Sequence, residues 1–241
     1  MVRPPSIVLE GEASIAGARL FSKLRLELPA GRWTSLLGAS GVGKSTLLRL
    51  MAGLDTGADF DGAIAAGDGA PLTGRVAFMS QNDLLAPWLD VTGNVILGAR
   101  LRGEKPDMQR ANALIARVGL AAHARQFPHT LSGGQRQRAS LARTLMEDRP
   151  VVLLDEPFSS LDAQSRADIQ ELAGELLADR TVLLVTHEPG EAARLSHQAF
   201  LMNAHGLSEL PLPPSSPVRA VDAQDTLAAQ AEMFRRLRSA A

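Results

Sequence analysis

The sequence predicts an α/β domain with a mostly parallel sheet, a small antiparallel β-region at its N-terminus and a helical insertion. Three observations predict it. Short, mostly apolar runs at residues 33–37, 75–80, 151–154 and 181–186 are separated by helical stretches, as are strands buried on both faces of a parallel sheet. Ahead of them, Leu24, Leu26 and Leu28 alternate with Lys23, Arg25 and Glu27, the pattern of a strand with one buried and one wet face. From about Leu84 to Glu147, helical patterns follow one another without an intervening strand.

In chain order, the first thirty residues read as β-structure and Pro29-Ala30-Gly31 makes the turn that ends it. Within the helical insertion, Met108, Ala111, Leu114, Ile115 and Val118 fall near one face of a helix. Residues 210–217, LPLPPSSP, hold four prolines, which neither a helix nor a central strand propagates, and read as a linker. Beyond them Leu227, Phe234 and Leu237 recur at helical spacing, with Arg235, Arg236 and Arg238 at the far end, predicting a C-terminal helix docked on the main body. The expected organisation is a main domain over 1–210, with its helical insertion at about 84–147, and a proline-rich linker and helix over 211–241.

Composition narrows the function. The 25 basic and 26 acidic residues leave a net charge of −1, which argues against a nucleic-acid partner held by a broad basic face. No apolar stretch approaches the roughly 18–20 residues that span a bilayer, and the N-terminus lacks the apolar core of a secretory signal, so a cytoplasmic protein is expected. Cysteine is absent, which excludes disulfides and cysteine-ligated metals.

Ligands of open parallel sheets bind beyond the carboxyl ends of the strands. The four apolar runs are followed in turn by Gly38-Ala39-Ser40-Gly41-Val42-Gly43-Lys44-Ser45-Thr46, by Gln81, by Asp155 and Glu156, and by His187. The first has the spacing of a phosphate-binding loop: a glycine, four residues, then Gly-Lys-Ser. Its glycines let backbone N–H groups line an anion, the helix begun near Lys44 adds its positive end, and the ammonium reaches the outer phosphates. Only three of the basic residues are lysines (Lys23, Lys44 and Lys105), which gives the placement of Lys44 added weight. Ser45 offers a hydroxyl to Mg²⁺, and Asp155, closing an aliphatic strand, a second anchor. Glu156 is placed to polarise a water for attack on the γ-phosphate. His187 and Gln81 take their meaning from position alone; His123, His129, His197 and His205 lack such placement and are assigned no role.

Phosphate loops serve many enzymes, and Leu131-Ser132-Gly133-Gly134-Gln135 separates them. Ser132 can cap the helix that follows, and the two glycines let its N-terminus approach an anion, so the chain carries a second phosphate-binding element. The set resembles the ATP-binding cassette (ABC) ATPases across residues 5–210: 38–46 look like the family's Walker A, Gln81 its Q-loop, 131–135 its signature, 151–156 its Walker B, Ser159-Ser160-Leu161-Asp162 its D-loop and His187 its switch histidine.

The resemblance implies a P-loop NTPase (RecA-like) core that hydrolyses ATP, with Ser45, Gln81 and Asp155 around Mg²⁺ and Glu156, Gln81 and His187 serving hydrolysis. It also implies a head-to-tail dimer in which each ATP lies between residues 38–46 of one copy and Ser132, Gly133, Gly134 and Gln135 of the other. A single cassette without a membrane segment looks like a bacterial importer subunit, at the cytoplasmic face of the cell membrane. Its partners would be a transmembrane permease and, indirectly, a periplasmic solute-binding protein. The segment QNDLLAPW (residues 81–88) looks like the nitrate/sulfonate/taurine importer group, which includes importers of thiamine pyrimidine precursors. In that reading Leu84, Leu85 and Trp88 form an exposed cluster that receives the permease; in the competing one Trp88 plugs the helical core. A soluble ABC ATPase acting on a macromolecule is the alternative function, and a P-loop kinase a third that leaves 131–135 unexplained. One departure from the family is expected to matter: where most relatives have an aromatic residue that stacks on adenine, counting back from Walker A finds Ile15 or a neighbour.

Overall fold

The computed structural model describes residues 3–203 and 206–239, so His205 lies outside the described residues. The chain divides into two compact units, one of Met1–Val76, Pro150–Glu156 and Leu177–Ala241, the other of Ala77–Arg149 and Pro157–Leu176. In chain order the elements up to the helical region are β1 (Ile7–Ile15), β2 (Ala18–Leu28), β3 (Trp33–Gly38), α1 (Lys44–Met51), β4 (Asp59–Ala66) and β5 (Val76–Met79). Then come α2 (Val91–Val95), α3 (Leu97–Leu101), α4 (Met108–Arg117), α5 (Gly133–Met146), β6 (Val151–Asp155) and α6 (Ala163–Leu176). The chain closes with β7 (Thr181–Val185), α7 (Pro189–Leu195), β8 (Gln198–Asn203), β9 (Gly206–Leu210) and α8 (Gln224–Ser239).

The first unit holds two sheets. β1 lies between β2 and β4, antiparallel to both. Its alternation is the one read from the sequence: Ile7 and Leu9 of β1 and Leu24, Leu26 and Leu28 of β2 are buried, whereas Glu10 and Arg25 pair on the wet face at 2.9 Å. The other sheet runs β6-β7-β3-β8-β9, parallel from β6 to β8, with β9 returning antiparallel. Every residue of β3, β6 and β7 is buried; β6 and β7 are aliphatic apart from Asp155 and Thr181, and β3 buries Thr34 and Ser35 beside Trp33, Leu36 and Leu37. Arg75, just before β5, accepts a backbone hydrogen bond from Val151 N–H, which brings the start of β5 beside β6.

The register places the functional ends together. Asp155 pairs with Val185 and Leu36 with Val185, so the chain leaves β6, β7 and β3 at the same edge. The C-terminal helix packs against α7 in this unit, over a cluster that includes Leu37, Ala192, Ala199, Leu201 and Leu210. Its docked face corrects the expectation: Thr226, Ala229 and Met233 are buried with Leu237 beside them, whereas Leu227 and Phe234 are about half exposed. Two apolar stripes run along α8, and helical spacing cannot choose between them.

The second unit is helical. α5 packs against α2 and α4, and α4 buries Ala111, Leu114 and Ile115 as expected, but Met108 at its first position stays exposed. Asp90 and Asp107 cap α2 and α4 by accepting from Gly93 N–H and Arg110 N–H.

Candidate functional site

The loop after β3 is shaped by two glycines. A Cβ at Gly38 would stand 2.5 Å from the Met202 carbonyl oxygen on the neighbouring strand. Gly43 sits at φ 102° as the N-cap of α1, a conformation that L side chains rarely adopt. A glycine cap has no side-chain oxygen, so no side chain accepts from the first N–H groups of α1. That leaves these donors, and the positive end of the helix, directed at the loop. Lys44 is buried and its Nζ donates to the carbonyls of Gly38 at 2.7 Å and Ala39 at 2.8 Å. Burial pulls its pKa below the usual lysine range, while the carboxylates of Glu156 and Asp155 push it back up.

Those carboxylates stand at the end of β6. Asp155 is buried and accepts a hydrogen bond from the Ser45 hydroxyl. Burial raises its pKa, Glu156 adds to the rise, and the Ser45 bond with the charges of Lys44 and Arg49 opposes it. Glu156 adopts φ 49°, in the left-handed region, and its N–H donates to the Val185 carbonyl at 2.9 Å. A non-glycine residue held there by a neighbouring strand is the kind of local strain that clusters at functional sites. Its carboxylate lies 3.1 Å from His187 Nδ1, and Glu188 lies 3.7 Å from Nε2. Thr186 and Glu191 frame the histidine: the Thr186 hydroxyl donates to Glu191 at 2.6 Å and accepts from Glu188 N–H at 3.0 Å.

The first unit thus gathers the loop Gly38, Ala39, Ser40, Gly41, Val42, Gly43, Lys44, Ser45 and Thr46 with Asp155, Glu156 and His187. Among the described residues no group of three or more His, Cys, Asp or Glu could hold a metal by itself. The adjacent hydroxyl of Ser45 and carboxylate of Asp155 are two hard oxygen donors, which fits Mg²⁺ bound jointly with phosphate oxygens.

The second unit carries the other predicted residues. Ser132 caps α5 through a reciprocal capping box: its hydroxyl accepts from Gln135 N–H at 3.2 Å and its N–H donates to Gln135 Oε1 at 2.8 Å. Because the hydroxyl is used as an acceptor, its own hydrogen can still be donated. Gly134 runs close to the following loop, where a Cβ would be 3.2 Å from the Ser160 carbonyl. Gln81 lies exposed in the bend just after β5.

Three contacts escaped sequence reasoning. Gln137 is buried in α5, accepts from Ser160 N–H at 2.8 Å and donates to the Ser159 hydroxyl at 3.2 Å, tying residues 159–160 to the helix. Its signal is a polar residue on the stripe of α5 that also buries Ser140, Leu141 and Thr144. His123 lies 3.1 Å from the Gln135 amide, a contact across sequence that spacing does not register. The Thr186–Glu191 bond that frames His187 likewise depends on how α7 turns back after β7.

The segment after Gln81 divides the expected cluster. Trp88 is 75 % exposed and Leu84 64 %, so Trp88 does not plug the helical core; Leu85, at 8 %, is buried and leaves the cluster. The exposed pair is held firmly. Arg143 donates to the carbonyls of Asp83 and Leu84, each at 2.7 Å. The buried Asn94 side chain bonds the backbone of Ala86, Leu89 and Asp90.

Residues 21–159 match the family described as ABC transporter. An uncharacterised ABC transporter ATP-binding protein of Haemophilus influenzae is 50 % identical over 190 residues, 78 % of each chain. The aliphatic sulfonates import ATP-binding protein SsuB 1 of Rhodococcus jostii is 44 % identical over 202 residues, 83 % of this chain and 80 % of the relative. The dimeric structure of MJ0796, a bacterial ABC transporter cassette, superposes with a TM-score of 0.74 at 26 % identity, over 89 % of this chain and 99 % of that one. A post-hydrolysis structure of the same cassette with ADP and Pi superposes equally well, at 25 % identity. The family match and these relatives show that the chain belongs to the ABC transporter family as one of its ATP-hydrolysing subunits.

Proposed function

We propose that the chain is the ATPase subunit of a bacterial importer for an aliphatic sulfonate or a similar small anion, acting as a head-to-tail dimer beneath a separate permease. The observation that carries the reading is that one chain holds two glycine-rich helix starts whose chemistry suits phosphate. The uncapped start of α1 and the serine-capped start of α5 serve one nucleotide if they come from different copies. Relatives named for sulfonate import, at 36–44 % identity, support the solute class. The rigid, exposed Leu84–Trp88 surface supports a protein partner, since apolar anchors on a fixed backbone carry interface energy.

In this mechanism the N–H groups of residues 41–46 and the Lys44 ammonium hold the β- and γ-phosphates of ATP. The Ser45 hydroxyl and Asp155 carboxylate would hold Mg²⁺, which when bound would neutralise charge on the transferring phosphate. The partner copy's Ser132 hydroxyl and the N–H groups of its Gly133 and Gly134 complete the γ-phosphate contacts, so ATP closes the dimer and hydrolysis removes the bridge. Glu156 accepts a proton from the attacking water, and His187 Nδ1 holds the carboxylate in place for that transfer.

The test is isolation of the chain from native membranes followed by solute-stimulated ATPase assay. A multi-spanning partner and stimulation by a sulfonate-loaded binding protein are expected. Association with a soluble macromolecular complex instead would favour an ABC ATPase outside transport.

A further inference from the structure

Just beyond the linker read from sequence at residues 210–217 stands one of the most thoroughly bonded side chains among the described residues. Arg219 is only 6 % exposed. Its guanidinium donates to four backbone carbonyls: Ala193 at 2.7 Å, Ser196 at 2.9 Å, Pro213 at 3.1 Å and Ser215 at 2.7 Å. Its own N–H donates to the Arg194 carbonyl at 3.0 Å, and its carbonyl accepts from Arg194 Nε at 2.9 Å. Ala193, Arg194 and Ser196 supply the last carbonyls of α7, the groups that a helix end leaves without partners. Arg219 therefore closes the C-terminal end of α7 and binds the tail to it at the same point.

The opposite end of α7 carries the switch segment. There Gln230 of α8 lies against Gly190, where a Cβ would meet its Oε1 at 3.1 Å. His187, Glu188 and Pro189 on one side and Leu227, Gln230 and Phe234 of α8 on the other line a cavity of about 540 Å³. The helix α8 is thus a wall of the space that His187 borders. Its position is set by Met233 and Ala229 in the core and by the Arg219 staple before it.

We propose that Arg219 is a positioning residue for ATP hydrolysis: by fastening the tail to the end of α7, it holds α8 against the switch segment and fixes the His187 ring beside Glu156. This rests on the reading of Glu156 and His187 as the hydrolytic pair. A misplacement of about 1 Å at a reacting group costs up to about a hundred-fold in rate while leaving remote substrate contacts intact. The phosphate loop makes none of the Arg219 contacts, so the loss should fall on turnover and spare nucleotide affinity.

The experiment compares Arg219→Ala, Gln230→Ala, His187→Ala and the exposed control Arg235→Ala in the full chain assembled with its membrane partner. ATP turnover and KM are measured there, and ¹H–¹³C spectra of the histidine rings are recorded on the full chain. Arg219→Ala is expected to lower kcat about ten-fold, with KM for ATP changed less than about two-fold, and to shift the His187 ring resonances. Arg235→Ala should leave both unchanged. If Arg219→Ala does not fold, Gln230→Ala decides: a drop of about three-fold in kcat with the same resonance shift supports the proposal, and parental values for both overturn it. A folded Arg219→Ala protein with parental kcat, or with an unmoved His187 resonance, also overturns it while leaving the hydrolytic pair standing. Parental turnover in His187→Ala would remove the pair itself, and the proposal with it.

Discussion

The carboxylate of Glu156 and Nδ1 of His187 lie 3.1 Å apart because each follows the end of one of two adjacent parallel strands. Asp155 pairs with Val185, and the left-handed turn at Glu156 brings its side chain to the histidine. Glu156→Gln keeps the size and a hydrogen-bonding oxygen but cannot accept the proton. Turnover should fall by about 10²–10⁴ while the dissociation constant for ATP changes by less than about three-fold. ATP should then hold a closed dimer, seen as a doubled mass in light scattering. Parental turnover would assign the base elsewhere.

Lys44→Ala tests binding instead of chemistry. The ammonium bonded to the carbonyls of Gly38 and Ala39 is the one charged side chain of the loop over residues 38–46, and a charge-assisted phosphate contact is worth about 1.5–3 kcal/mol. Equilibrium titration should show ATP affinity lowered by about ten- to a hundred-fold. Unchanged affinity with lost turnover would make Lys44 a purely catalytic group.

The parts of this site that the sequence made legible are those in which burial dictates composition. β6 and β7 bury every residue, so all but Asp155 and Thr181 are aliphatic, and Asp155, Glu156 and His187 at or after their ends marked the exit edge. The glycines of the phosphate loop were equally visible, because only glycine tolerates the φ of Gly43 and the 2.5 Å approach to Met202. What stayed hidden depends on contacts distant in sequence. Leu84 and Leu85 are chemically identical neighbours, and only the fold exposes one and buries the other. Arg219 looks like one more polar residue between the linker and the last helix until the end of α7 and the tail are brought together.

The raised pKa of Asp155 gives a pH-dependent stability with a definite sign. Burial makes its proton tighter in the folded state than at the ordinary value of 3.8. Stability is therefore lost as pH rises from that value through the higher folded one. Asp155→Asn removes the charge and retains an oxygen to accept from Ser45. Without nucleotide its unfolding midpoint should exceed the parent's at pH 7, and the difference should close as pH falls towards the ordinary value of 3.8. ATP turnover should nevertheless fall about a hundred-fold, through loss of the carboxylate proposed to anchor Mg²⁺. A lower midpoint at pH 7 would mean that the carboxylate is stabilised by its neighbours.

Trp88 separates partner binding from folding. A side chain 75 % exposed contributes little to the core, so Trp88→Ala should change the unfolding free energy by less than about 0.5 kcal/mol. As an apolar anchor for the permease it should cost about 2 kcal/mol in assembly, roughly thirty-fold in affinity, measured by co-purification at graded concentrations. Arg143→Ala, which releases the carbonyls of Asp83 and Leu84, should weaken assembly in the same direction. Assembly at parental affinity in both variants would move the permease contact to another surface.

Nucleobase selectivity follows from an absence at the end of β1. Ile15 stands half-exposed before the tight turn of Ala16 and Gly17, both at positive φ, and the sequence contains no tyrosine. The nearest aromatic residue in sequence, Phe21, is fully buried, and a Cβ at Gly43 would meet its ring at 3.2 Å, so it belongs to the core beneath the phosphate loop. An aliphatic side chain covers a purine ring of either kind but lacks the geometry of aromatic stacking, worth about 0.5–1.5 kcal/mol. GTP should therefore compete with ATP at nearly equal concentration in the parent. Ile15→Tyr should tighten ATP binding by about two- to ten-fold, the same interaction expressed as an equilibrium constant. The hairpin tolerates the change, because the position is at the surface and at a strand end where aromatic residues are favoured. A strong preference for ATP in the parent would place another group against the base, and an Ile15→Tyr protein with unaltered affinity would move the adenine away from β1.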